Sequence, residues 1–314
     1  MLRMHFLALL LGFLLDLILG DPAWLYHPVR LIGKYITFAE QRLRARGGHL
    51  RGSAVLLTAS TCLFTMAFAG FLLWLLSLCG TWAKLLGMAV MDWLGIAVRD
   101  MIKEAQGVRR ALHLSLPDAR HQVARIVGRD TDRLTAEEIV KATVETVAEN
   151  TTDGVISPML YAFLGGPVLL WGFKAASTLD SMVGYMDEKY RDIGWSSARL
   201  DDVLNFLPAR LTAALMILTA FFMGLDGRNA LRIVRRDHRN HTSPNCAWSE
   251  AAAAGAMHIR LGGTHLYFGK PVVKPTIGDA DRAAKEEDIG RACRLLCVTA
   301  FLMMAFLALI ACLA

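Results

Sequence analysis

A chain of 314 residues that is 54% hydrophobic and yet 20% charged excludes a disordered polypeptide and argues against a purely soluble domain. It suits a membrane protein with substantial polar loops. The net charge of +6 is scattered among acids rather than gathered in a stripe, which speaks against nucleic acid as a partner and makes Lys and Arg first a report on topology.

Residues 2–19 form a first apolar segment of bilayer-spanning length. It runs into Gly20-Asp21-Pro22 without a small-residue cleavage site, so a retained helix is expected rather than a removed leader. Asp16 is either an interfacial residue or an acid facing a site. In the polar stretch 20–53, Asp21-Pro22 and His27-Pro28 punctuate turns, because the residue before proline is pushed out of the helical region. Trp24 and Tyr26 suit a headgroup layer, and residues 31–46 read as a basic amphipathic interfacial helix. Residues 54–78 are the clearest span, with no charge. The segment 85–98 is shorter and interrupted by Asp92, so it either crosses or lies buried against neighbours.

The loop 99–154 carries nine Lys and Arg between Arg99 and Lys141 and is expected on the cytoplasmic side. Within it, Thr135 and Glu138 have the spacing of a capping box, and Val140, Val144 and Val147 follow as an apolar stripe. Glu145 and Glu149 stand one turn apart on another face. Asp153 extends that row if the helix continues, although Gly154 favours a break. The apolar segment 155–173 contains Pro158, Gly165, Gly166 and Pro167, which predicts a broken or re-entrant helix lining a protein cavity. The acid-rich loop 174–202 precedes a further apolar segment, 203–225, which holds Asn205, Pro208 and Arg210. The last polar loop, 226–294, begins with a run of arginines. Ala251–Ala254 predicts a small-residue helix for close packing, while Gly262-Gly263, Pro271 and Pro275 predict irregular structure. Residues 295–313 are a final span. The fold expected is all-α: one polytopic, membrane-embedded domain over 1–314, with broken helices and large cytoplasmic helical loops.

Carboxylates among apolar segments are costly, about 2.5 to 3.5 kcal/mol for an acid at a helix centre, so the acids invite functional readings. Glu145, Glu149 and Asp153 offer oxygen ligands of the kind Mg²⁺ takes together with substrate phosphates; a solvated helix face is the plainer reading. Asp201 and Asp202, with Asn205, offer a second oxygen cluster, explained nearly as well by acids in a helix first turn. Lys174, Lys189, Arg191 and Arg210 are candidate phosphate clamps, against which stands simple snorkelling of Lys174 and Arg210. Arg125 and Arg129 either bind an anion or pair with neighbouring acids. His238, His241, Asn245 and Glu250 form a candidate general acid/base group. The six cysteines read as small hydrophobes, and there is no HExxH, GxSxG, GxGxxG or GxxxxGK[ST] motif.

Several long stretches carry more than periodicity. GDPxxxxHPVRLIG at 20–33, VGRDT at 127–131 and VETVAENTTDGVISP at 144–158 resemble one family throughout. So do KAASTLDSMVGYMDEKYRDIGWSSARLDDVLNFLPARL at 174–211 and HTSPNCAWSEAAAAGAMHIRLGG at 241–263. The family is that of the adenosylcobinamide-phosphate synthases of cobalamin biosynthesis. The resemblance implies a multi-pass enzyme of the inner membrane that joins adenosylcobyric acid to (R)-1-amino-2-propanol phosphate, or to free aminopropanol, by an amide bond, with ATP as co-substrate and Mg²⁺ as cofactor. On that reading Glu145, Glu149 and Asp153 hold metal, and Asp201 and Asp202 hold a second metal or orient the amine. Lys174, Lys189, Arg191 and Arg210 hold phosphates, and His241 or Glu250 is the base. If ATP is used there, 174–202 faces the cytoplasm, and 155–173 and 203–225 are not both simple spans. A transporter whose acids form an ion path, or a non-catalytic scaffold for other corrinoid enzymes, remain the rival classes; self-association is compatible with each.

Overall fold

Helices carry almost all of the chain. In order they are α1 (Leu2–Leu19), α2 (Pro28–Ala45), α3 (Leu50–Leu78), α4 (Thr81–Trp93), α5 (Val98–Leu114), α6 (Leu116–Val123) and α7 (Ala136–Asn150). A π-helix (Thr151–Ile156) leads into α8 (Ser157–Val183), followed by α9 (Trp195–Leu204), α10 (Phe206–Phe222), α11 (Gly227–Asp237) and α12 (Cys246–Met257). Strands β1 (Leu261–Tyr267) and β2 (Lys270–Ile277) precede the last helix, α13 (Glu286–Leu313). This computed structural model describes residues 1–22, 24–47, 50–185, 187–267 and 269–314; Met186, within one of the family-like stretches, lies outside them. The all-α expectation holds apart from the hairpin, which forms where irregular structure was expected. Both strands of a two-stranded ribbon are edges, so Pro271 and Pro275 need not break a central ladder. Gly262 sits at φ +74° where the pairing register shifts, and a Cβ there would stand 2.4 Å from the Pro275 carbonyl oxygen.

Four helical runs are long and apolar enough to cross a membrane: Leu2–Leu19, Leu50–Leu78, Ala136–Val183 and Glu286–Leu313. The pair α9–α10, interrupted at Asn205, passes the same test when taken together. Along α3, Val55, Leu56, Leu63, Phe64, Phe68, Phe71 and Trp74 are exposed. An apolar face of that extent is untenable in water and marks a membrane protein. The expected segment 85–98 becomes the 13-residue α4, about 20 Å at 1.5 Å per residue and short of a ~30 Å hydrocarbon core. Leu85, Met88, Ala89, Asp92 and Trp93 are its buried residues, while Leu86 and Val90 are exposed.

The chain divides into two compact units. The first comprises Met1–Ala97, Ser157–Asn205 and Phe306–Ala314. Within it Leu85 and Met88 of α4 pack with Ala8 and Leu73. The close approach of α1 and α4 depends on Gly12, where a Cβ would stand 2.8 Å from both the Ala89 oxygen and the Trp93 nitrogen. The expected break in 155–173 is present: Gly165 and Gly166 leave helical geometry, Gly166 at φ +64°, just before Pro167. Pro167 cannot donate to the carbonyl four residues earlier. That carbonyl, Phe163 O, instead accepts from His5 Nδ1 at 3.1 Å. Other carbonyls in the unit are met by indoles, Gly20 by Trp93 Nε1 at 3.0 Å and Met91 by Trp171 Nε1 at 3.2 Å, as an apolar surround requires.

The second unit comprises Val98–Ile156 and Phe206–Ala305. The capping box at the start of α7 forms as expected, with Glu138 accepting from the Thr135 N–H at 2.7 Å and Thr135 Oγ1 accepting from the Glu138 N–H at 3.3 Å. The alanine-rich helix α12 packs closely on α11, as its composition predicted: a Cβ on Gly255 would lie 2.7 Å from Ala230 Cα. Asp237, 4% exposed, pairs in bidentate fashion with Arg236 and accepts the Gly278 N–H at 2.8 Å. Arg232 and Arg236 both donate to Asp279. These bonds fix the chain where it leaves the hairpin.

The satisfied carbonyl at the α8 break yields a measurable consequence. His5→Ala leaves Phe163 O without its side-chain donor and is expected to lower stability by about 1–3 kcal/mol, read from unfolding of the purified protein. An unchanged transition would show that the break does not depend on His5.

Candidate functional site

The site in the second unit starts from one face of α7. Val140, Val144 and Val147 are buried, and the 3.6-residue period leaves Glu145 and Glu149 together on a half-buried face. The break expected at Gly154 does not occur. The helix widens into the π-turn Thr151–Ile156, a rare geometry that is frequent at functional sites. Asp153 is half-buried on that turn, where the four-residue row no longer describes its direction.

Each acid is managed differently. Glu145 is clamped: Oε2 accepts from Arg129 Nη2 at 2.8 Å, and Oε1 accepts from the Gly262 N–H at 2.8 Å. The Arg129 and Glu145 side chains are 5% and 15% exposed. Glu149 Oε1 accepts from the Cys246 thiol at 3.4 Å. Burial pushes that thiol well up, and the charges of Glu149, Asp153 and Glu250 add to the shift, so Cys246 is a protonated donor. Glu250, 6% exposed on α12, has its carboxyl raised well above the usual range, first by burial and then by the negative charges of Glu145 and Glu149. Both causes disfavour the charged form of the carboxyl.

His241 is shifted the other way. Burial, then the charge of Lys274, lower its pKa against the opposing pull of Glu149 and Glu145. Its Nδ1 accepts from the Ser243 N–H at 3.0 Å, so the neutral ring carries its proton on Nε2 and offers a donor there. Arg210 donates to Phe206 O at 2.6 Å and to Asn245 Oδ1 at 3.2 Å, with its guanidinium against the rings of Phe206 and Trp248. Of the predicted residues, the second unit thus gathers Arg129, Glu145, Glu149, Asp153, His241 and Glu250, with Arg210 and Asn245 bonded to each other. Arg125 is exposed and paired with Glu104 at 2.9 Å, the plainer of its two readings.

The remaining predicted residues belong to the first unit. Lys174 is half-buried on α8, and Arg191 is exposed. Lys189 is exposed over the Tyr190 ring. Asp201 Oδ2 accepts from Asn205 Nδ2 at 3.1 Å, and Asp202 lies 3.7 Å from Arg199. Sequence reading missed three participants in the second unit: Cys246, taken as a small hydrophobe, and His265 and Lys274 on the hairpin. His265 lies in the field of Arg129 and Glu145, and Lys274 in that of Glu250 and Glu149. Nothing in the local sequence signals either role, because strand pairing decides which face they share.

Among the described residues, no group of three or more His, Cys, Asp or Glu is arranged to hold a metal ion. Glu145 has both oxygens engaged. The remaining donors, the carboxylates of Glu149 and Asp153, are hard oxygens of the kind Mg²⁺ uses when it keeps few protein ligands and takes the rest from substrate phosphates. The residues fit an ion that arrives with phosphates and do not fit a preformed cage.

The long apolar helices mark a membrane protein, and the second unit holds a half-buried set of acids and cations. The comparisons place it more closely. The family model described as CobD/Cbib protein matches residues 9–296. A cobalamin biosynthesis protein CobD of Listeria monocytogenes is 47% identical over 300 residues, covering 94% of this chain and 95% of the relative. A CobD of Geobacter metallireducens is 49% identical over 87% of this chain and 86% of its own. A cobalamin biosynthesis protein CbiB of Salmonella typhimurium is 43% identical over 97% of both. The chain belongs to the CobD/CbiB family of cobalamin biosynthesis proteins. No solved structure matches it.

Two outcomes follow from the site. Glu145→Gln removes the charge that holds Arg129 and is expected to speed hydrogen exchange in 261–277, as the Gly262 tether weakens; unchanged exchange would count against the clamp. Glu250 has a raised folded pKa, so its contribution to stability is full below the unfolded carboxyl value of about 4.3 and is lost as pH rises through the folded value. Glu250→Gln, always neutral, should flatten the fall in melting temperature between pH 5 and 9.

Proposed function

We propose that this protein forms the amide bond between adenosylcobyric acid and (R)-1-amino-2-propanol phosphate, giving adenosylcobinamide phosphate with hydrolysis of ATP, as a multi-pass protein of the cytoplasmic membrane. Its family supports the pathway. The observation that carries the reaction class is the cluster of Glu149, Glu250, His241 and Lys274, in which burial and mutual charge drive the acid and the imidazole to opposite shifts. Titratable groups perturbed together by burial and by specific charged neighbours are candidates for acid–base work.

A carboxylate is a poor acyl donor. In the proposed sequence its oxygen attacks the γ-phosphorus of ATP and ADP departs; the amine nitrogen then attacks the acyl phosphate, phosphate departs and the nitrogen loses a proton. Mg²⁺, held through Glu149 and Asp153, would supply charge neutralisation on the phosphates. Asp201 and Asp202 are proposed as a second oxygen site or as a means of orienting the amine. Lys174, Lys189, Arg191 and Arg210 are proposed to hold phosphates. Glu250 is the better base of the two candidates: a raised carboxyl pKa lies nearer the operating pH, where proton transfer is most effective. Neutral His241 presents Nε2–H, which suits an oxyanion developing on the acyl carbon.

Purified protein in lipid discs, given ATP, Mg²⁺, adenosylcobyric acid and the amine phosphate, is expected to release ADP and ligated product in equal amounts. Vesicle uptake of substrate without product would replace this reading with transport. Glu250→Gln should lower kcat by about 10²–10⁴-fold. Glu149→Gln and Asp202→Asn should abolish ligation while the protein still inserts and folds; near-normal turnover in both would remove the metal assignment.

A further inference from the structure

The hairpin inverts the usual rule for a strand that lies on a surface. β2 exposes Val272 and Val273, the latter 78% exposed, while Lys274 is the residue it turns half inward before Ile277. Gly263 pairs with Lys274 and His265 with Val272. Paired residues share a face and every second residue returns to it, so His265, Tyr267, Lys270, Val272 and Lys274 stand on one side of the ribbon and Val273 on the other. Gly263, opposite the lysine, contributes no side chain, and a Cβ there would meet nothing within 4 Å. The face is therefore open beside the ammonium.

Two polar atoms next to this face, Arg129 Nε and His265 Nε2, are buried without a hydrogen-bond partner among the described residues. Arg129 is 5% exposed, and its Nη2 is spent on Glu145. Buried groups of this kind are normally satisfied, so a ligand atom is the natural complement. Arg129 offsets Glu145, which lessens the negative charge that would repel an anion. Burial alone would depress the lysine, yet Tyr267, Glu250 and Glu149 outweigh it and keep Lys274 charged.

We propose that the His265–Lys274 face of the hairpin, with Arg129 Nε beside it, binds a phosphoryl group of a substrate. Lysine acts there as a point charge, and the arginine and histidine nitrogens act as directed partners. The phosphoryl group belongs either to the polyphosphate end of a nucleotide or to the phosphate monoester of the amine. This inference rests on the ligase reading for its substrates and not for the anion site itself.

The test uses the full chain in lipid discs, with lysines acetylated by limiting reagent and Lys274 modification read by mass spectrometry. Tripolyphosphate, ATP or the amine phosphate, each added separately, is expected to reduce Lys274 modification about tenfold, with equimolar sulfate as the control for ionic strength. Protection by tripolyphosphate and ATP identifies the nucleotide end; protection by the amine phosphate alone identifies the monoester. Lys274→Met should raise KM for the identified substrate about tenfold or more, the loss of one charge-assisted contact, with kcat changing less and Lys274→Arg largely restoring it. No protection by any of the three overturns the site, whether or not the protein ligates. Protection by tripolyphosphate in protein that forms no product would sink the ligase reading and leave the anion site standing.

Discussion

A carboxylate removed from water must be paired with a cation, given hydrogen-bond donors or kept protonated. The second unit applies all three solutions within one cluster. Glu145 has a guanidinium and a backbone N–H, Glu149 has a thiol, and Glu250 has its carboxyl shifted toward the protonated form. These solutions depend on one another. Were Glu145 not bound by Arg129, its charge would press harder on Glu250, and the charge of Glu250 in turn bears on the Cys246 thiol. The cluster is therefore a coupled electrostatic unit.

Much of the frame was legible in sequence because it follows from local rules. Thr135 and Glu138 form their capping box from spacing alone, the valine stripe of α7 turns Glu145 and Glu149 to a common face, and Gly165-Gly166-Pro167 interrupts its helix. The misreadings have physical causes too. Gly154 was expected to stop a helix that instead widened into a π-turn, since surrounding packing can hold a glycine in helical geometry. The glycines and prolines of 261–277 signal irregular backbone in isolation, yet a ribbon with two edges tolerates both. Lys274 and His265 could not be assigned from their neighbours, because only the pairing register decides which side chains share a face.

The family-like stretches and the compact units divide the chain differently. Residues 144–158 and 241–263 supply the acid cluster, and both fall almost wholly in the second unit. Residues 20–33 and 174–211 fall largely in the first, among helices whose carbonyls are met by indole and imidazole N–H groups. Family membership rests on the whole chain, while the acid cluster belongs to the second unit and its hairpin.

The bond from Gly262 to Glu145 joins residues 117 positions apart. Contacts of such separation form late, since the intervening loop must close before they are gained. During synthesis α7 leaves the ribosome with Glu145 unclamped long before the hairpin exists to receive it. The cluster can therefore assemble only when most of the chain has been made and inserted. Timing in this protein is thus built into topology: a nascent chain carries the acids early but cannot gather them until its last quarter arrives.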